Sequence, residues 1–136
     1  MTHTFDSIII GAGQAGPSLA GRLTAAGQSV ALIERKLVGG TCVNTGCMPT
    51  KALVASAYAA HLARRAADFG VVVSSGVAVD SKALKARQRR IADEARENLE
   101  RSLRSMSGLT LIERHARFIA PNTIDVSGQT LKANTV

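Results

Sequence analysis

Ile8-Ile9-Ile10-Gly11-Ala12-Gly13-Gln14-Ala15-Gly16 is the stretch on which the fold turns. With Phe5 ahead of it, the isoleucine run is short, apolar and β-branched, as expected of a strand buried in a parallel sheet. Leu19, Ala20, Leu23 and Ala26 then recur at helical spacing, and Gly27 stops the helix. Ser29–Ile33 reads as a second strand, ending at Glu34. About thirty residues thus spell strand, turn, helix and strand, a βαβ-type start.

In such a unit a Gly-x-Gly-x-x-Gly turn sets backbone N–H groups and a helix N-terminus against a pyrophosphate. Gly11 allows the tight turn, Gly13 lets the backbone approach the phosphates, and Gly16 lets helix and strand pack closely. Alone the pattern is weak, but here a strand precedes it, a helix follows and an acidic residue closes the next strand. Glu34 is placed to accept hydrogen bonds from a ribose 2′-hydroxyl. Arg35 and Lys36 would suit a 2′-phosphate, which the Glu34 carboxylate would repel. NAD and FAD both remain, and the turn does not choose between them.

Outward from this unit, Arg35–Gly40 reads as a loop and Thr41–Pro49 carries both cysteines. An alanine-rich helix is expected from about Pro49 to Ala67, with Pro49 tolerable only in its first turn. Asp68-Phe69-Gly70 breaks it, and Val71–Val73 reads as a short extended piece. A second long helix is expected over Ser81–Met106, with Asp80 as its N-cap. Its Leu84, Ile91, Ala95, Leu99 and Leu103 form one apolar stripe, expected to pack on the cysteine-bearing helix. Leu109–Ile112 reads as a third strand. A small β-meander follows: Ala116–Ile119, a turn at Pro121-Asn122, Thr123–Val126, and a turn at Ser127-Gly128. Leu131–Val136 begins another strand-like run. The class is α/β, and because so few parallel strands would leave a sheet edge unpaired, the chain is expected to be the N-terminal portion of a longer protein.

Gly39-Gly40-Thr41-Cys42-Val43-Asn44-Thr45-Gly46-Cys47-Met48-Pro49-Thr50-Lys51 carries the chemistry. In a regular helix, residues five apart have Cα atoms ~8.6 Å from each other, whereas a disulfide requires roughly 4.4–6.8 Å. If Cys42 and Cys47 bridge, the backbone between them must leave helical geometry, a distortion that Gly46 permits. Near a helix N-terminus the dipole is expected to lower both thiol pKa values and poise the pair for exchange. A structural metal site needs about four ligands, and His3, His61 and His115 lie at no metal-type spacing. Buried, inert thiols are the other alternative.

The 136 residues include 17 Lys+Arg and 10 Asp+Glu, a net charge of +7, with 46% hydrophobic and 20% charged residues. That balance is globular rather than disordered. The longest mostly apolar run, Ala52–Ala63, is too short to span a bilayer. Met1–Ser7 has no basic start to a signal peptide, so a soluble, cytoplasmic protein is expected, with no membrane partner. Nucleic acid is not expected either. Trp is absent, the only aromatics are Phe5, Tyr58, Phe69 and Phe118, and single-strand binders use stacking platforms. The basic excess over 82–104 is interleaved with Asp93, Glu94, Glu97 and Glu100, the pattern of a solvated helix face.

The Gly11-x-Gly13-x-x-Gly16 turn, Glu34 and the Gly39–Lys51 run together resemble the FAD-dependent pyridine nucleotide-disulfide oxidoreductases, the family of glutathione reductase, dihydrolipoamide dehydrogenase and mercuric reductase. The resemblance implies a Rossmann-like FAD-binding domain, with residues 1–136 as its N-terminal part and the NAD(P)H-binding and interface domains lying outside this chain. It implies FAD held by Gly11, Gly13, Ala15, Gly16, Glu34, Gly40, Thr41 and Lys51, with an adenine contact at Ala116. It further implies a redox-active Cys42–Cys47 disulfide, in which Cys42 meets the substrate and Cys47 faces the flavin. Electrons would pass from NAD(P)H through FAD to this pair and on to Hg(II) or a small-molecule disulfide, in a homodimeric enzyme. The Cys-Val-Asn-Thr-Gly-Cys-Met-Pro-Thr-Lys run looks nearest to the mercuric-reductase subgroup.

Overall fold

A computed structural model describes residues 2–136. Strand β1 (Thr2–Ile10) leads through the glycine turn into helix α1 (Ala15–Ala25) and strand β2 (Val30–Ile33). Two helices follow in close succession, α2 (Gly40–Asn44) and α3 (Cys47–Arg64), and then a 3₁₀ turn at Ala66–Phe69. The long helix α4 (Ser81–Ser105) returns to strand β3 (Leu109–Ile112), and β4 (Ala116–Ala120), β5 (Thr123–Val126) and β6 (Gln129–Thr135) complete the fold.

All six strands form one sheet in the order β3-β2-β1-β6-β5-β4. β1 pairs in parallel with β2 and β6, and β2 with β3, whereas β4-β5-β6 is antiparallel. The meander is therefore not a separate piece. β6 enters beside β1, with Thr2 opposite Thr130 and Ser7 opposite Thr135, and so covers one side of the strand that carries the glycine turn.

Every residue of β2 is buried, as a central parallel strand requires. Val30 and Leu32 join Ala20, Val38 and Leu103 in one apolar cluster, while Ala31 and Ile33 join Ile8, Ile124, Val126 and Leu131 in another. Asp80 caps α4 as expected, its Oδ1 accepting from the N–H groups of Lys82 (2.9 Å) and Ala83 (3.0 Å).

Three expectations change. The cysteine-bearing helix starts at Cys47 and ends at Arg64 rather than spanning 49–67. Val71–Val73 forms no strand, since no neighbouring edge offers it hydrogen bonds. The α4 stripe is divided between two partners: Leu99 and Leu103 pack with β2 residues of the sheet, and the helix also lies against α2 and α3.

Candidate functional site

The turn after β1 is held at both ends. Gly11 takes φ +106°, a region that L side chains avoid, and its N–H donates to Ile33 O at 2.7 Å. A Cβ on Gly16 would stand 2.1 Å from Gly11 O, so only glycine allows α1 to sit this close to the turn. Gly13 is different. Its φ is not positive, and a Cβ there would meet nothing within 4 Å. Neither the backbone nor the chain's own packing requires glycine at this position, which leaves the approach of an outside group as the physical reason for it. The start of α1 fits that group: no side chain caps its N-terminus, and no acidic residue stands in its first turn, so its N–H groups remain for an anion. Ala15 is the first residue of this helix.

Glu34 ties the turn to the next loop. Its Oε2 accepts from Ala12 N–H and its Oε1 from Lys36 N–H, both at 2.9 Å. Each oxygen keeps acceptor capacity for a hydroxyl donor. Two cavities meet at Glu34. One, of about 270 Å³, also takes in Gly11, Arg35, Arg114, His115 and Ala116. The other, of about 430 Å³, takes in Lys36, Gly40, Thr41, Asn44 and Thr45. Gly11 and Ala116 thus line one cavity and Gly40 and Thr41 the other, with Glu34 at both. Arg114 and His115 were not among the expected site residues, and their only signal was adjacency to Ala116.

The loop after Glu34 locks onto the turn. Gly39 N–H donates to Ala12 O at 2.7 Å, and a Cβ on Gly40 would lie 3.0 Å from Gly13 Cα. Asn44 secures this loop from below, its Nδ2 donating to Val38 O (2.9 Å) and Gly40 O (2.8 Å). That role for Asn44 depends on tertiary placement and was not foreseen.

Between the cysteines the helix breaks, as a bridge between them would demand. Gly46 takes φ −116° and ψ −106°, and the N–H groups of Thr45 and Gly46 both turn back to Thr41 O, at 2.9 and 2.6 Å. Cys42 rides on α2 and Cys47 opens α3. Cys42 is half-buried and Cys47 exposed. The expected lowering of the Cys42 pKa is overturned. The thiol is held above its ordinary value, chiefly by a hydrogen bond to the Cys47 side chain, then by burial and by repulsion from Cys47. The Cys47 backbone N–H and the Lys51 cation pull the other way and lose. Lys51 itself is exposed on the first turns of α3.

Among the described residues no three His, Cys, Asp or Glu side chains gather as a metal site, and no helix is long and apolar enough to cross a membrane.

Comparison with known proteins identifies the fold and the family. Dihydrolipoyl dehydrogenase of Chlamydia muridarum is 34% identical over 139 residues, covering 100% of this chain and 30% of the relative. Mercuric reductase of Bacillus cereus is 36% identical over 131 residues, covering 96% of this chain and 21% of the relative. The chain thus spans under a third of the length of these relatives. Among solved structures, the Cu(II) complex of the HOCl-induced flavoprotein disulfide reductase RclA from Escherichia coli superposes with a TM-score of 0.76 at 30% identity, over 94% of this chain and 26% of that one. The family model described as pyridine nucleotide-disulphide oxidoreductase matches residues 5–136, and with nearly its whole length matched, the chain belongs to that family of enzymes.

Proposed function

We propose that this protein is the flavin-binding and dithiol-bearing part of a disulfide reductase that draws electrons from NAD(P)H and delivers them through Cys42 and Cys47 to an oxidised substrate. The observation that carries the reading is the pair itself: two cysteines on either side of a helix break, Cys42 on α2 and Cys47 opening α3. The open space over Gly13, the uncapped start of α1 and the Glu34 carboxylate support FAD as the bound group. FAD, when bound, supplies a two-electron carrier between the nicotinamide and the dithiol.

In this reading the start of α1 takes the pyrophosphate, Glu34 takes the adenosine ribose, Ala116 borders the adenine, and Thr41 and Lys51 face the flavin end. Cys42 is the exchange thiol. As a thiolate it attacks one sulfur of a substrate disulfide, and the other substrate sulfur leaves and takes up a proton. Cys47 then attacks the Cys42 sulfur, releases the second substrate thiol and closes the Cys42–Cys47 disulfide. Two electrons have passed to the substrate. The Lys51 cation and the Cys47 N–H, which favour the Cys42 thiolate, assist the first step.

For the acceptor, the Cys-Val-Asn-Thr-Gly-Cys run supports Hg(II), while relatives named dihydrolipoyl dehydrogenase support a small-molecule disulfide. A homodimeric holoenzyme in the cytoplasm goes with this reading on the strength of the family alone. Dithionite titration of the FAD-loaded protein tests it. A long-wavelength thiolate–flavin band at the two-electron stage, lost in Cys47→Ser, is the expected result. Uptake of only two electrons with the thiol count unchanged overturns the reading.

A further inference from the structure

Two arginines of α4 reach the cysteine-bearing helices. Arg87 Nη1 donates to Ala52 O (2.9 Å) and Ser56 Oγ (3.2 Å) of α3. Arg96, nine positions on, reaches α2: its Nη1 contacts Asn44 Oδ1 at 3.4 Å and Asp93 Oδ1 at 2.9 Å, and its side chain is only 22% exposed. Asp93 lies one turn away on the same helix and holds the guanidinium in place.

The consequence runs through one amide. Both hydrogen bonds from Asn44 Nδ2 go to the loop, at Val38 O and Gly40 O. Its Oδ1 therefore faces Arg96, and the guanidinium supplies the donor that fixes which way the amide points. The loop so held is the one that locks onto Ala12 and Gly13. α2, which carries Cys42, is thus secured to α4 at Asn44, while α3, which begins with Cys47, is secured to α4 at Arg87. Both cysteine-bearing helices are thus tied to one helix.

We infer that Arg96 is a positioning residue for the dithiol: by orienting Asn44 it holds α2 at the distance from α3 at which Cys42 and Cys47 close a disulfide. The inference rests on the proposed redox role of that pair and adds a residue that acts on it through Asn44.

The test is the exchange equilibrium of the purified protein in glutathione buffers, in which oxidised protein and two GSH give the dithiol protein and GSSG. Blocked thiols are counted by mass spectrometry. In Arg96→Met the loosened α2 lowers the effective concentration of one thiol at the other, and the equilibrium moves about tenfold toward the dithiol, roughly 30 mV for this two-electron couple. Arg96→Lys keeps the charge and loses the planar fork, so it moves the same way by a smaller factor and serves if the methionine variant does not fold. Arg104→Met, which breaks the contact of α4 with Glu113 far from either cysteine, leaves the equilibrium unchanged. An unchanged value in Arg96→Met, or in Arg96→Lys where that variant stands in, overturns the inference, as does an equal shift in Arg104→Met. Those outcomes leave the functional reading intact, whereas a wild-type protein that forms no Cys42–Cys47 disulfide at any GSSG ratio refutes both.

Discussion

Two glycines of one turn are predicted to fail in opposite ways when replaced by alanine. In Gly16→Ala the new Cβ arrives 2.1 Å from Gly11 O and 3.3 Å from Leu32 Cδ1. To reach the shortest ordinary contact, α1 or the turn must shift by about 0.9 Å. The obstacle is a backbone carbonyl whose residue is tethered to Ile33 O, not the free end of a side chain. Overpacking of this kind costs about 1–3 kcal/mol, and the upper half applies here, offset by roughly 0.5–1 kcal/mol from replacing a helical glycine. A net loss near ~2 kcal/mol lowers Tm by roughly 5–10 °C for a chain of this size. Gly13→Ala meets nothing, so its stability stays within about 0.5 kcal/mol of the parent. Its methyl group does occupy the approach to the α1 N-terminus, and a 10–100-fold loss of FAD affinity, about 1.4–2.8 kcal/mol, is expected. Thermal denaturation without cofactor and titration of flavin fluorescence read the two effects separately. Gly13→Ala binding FAD as tightly as the parent, or Gly16→Ala melting with it, refutes the reasoning.

Two further outcomes follow from single contacts. In Cys47→Ala, Cys42 loses the neighbour that chiefly raises its pKa, so the pH profile of its alkylation moves to lower pH; an unmoved profile counts against proton sharing. Asp6 is held below the usual carboxylate range by Ser29, whose N–H and Oγ reach Asp6 Oδ2 at 2.8 and 2.7 Å. This contribution to stability is present above the unfolded carboxylate pKa and is lost as pH falls through the depressed folded value. Asp6→Asn should therefore flatten the acid limb of stability against pH, and denaturant melts between pH 2 and 7 that keep the parent's slope would contradict the assignment.

The first half of the fold was legible because its signals are local. The β-branched run, the glycine spacing and the position of Glu34 fall within one βαβ unit, and the Asp80 cap lies beside the helix it starts. What escaped was set at a distance. Three valines at 71–73 have strand propensity, but propensity expresses itself only against a partner edge. β6 reads as a strand, yet nothing nearby says that its partner is β1. The Cys42 shift is governed by its cysteine neighbour rather than by a helix end, although both cysteines stand in the same short motif. Arg96 resembled every other cation of a solvated helix face. Its distinction is a partner 52 positions earlier, which no spacing rule announces.

The pairing of β1 with β6 has a consequence for biosynthesis. Thr2 faces Thr130, so β1 cannot complete its hydrogen bonding until β6, well over a hundred residues later, has been made. At ordinary translation speeds the interval between the end of β1 and the arrival of β6 is roughly 6–24 s. Throughout it, one edge of the nascent strand stands open beside the glycine turn. Such an open edge exposes a newly made copy to mispairing or chaperone capture until β6 arrives.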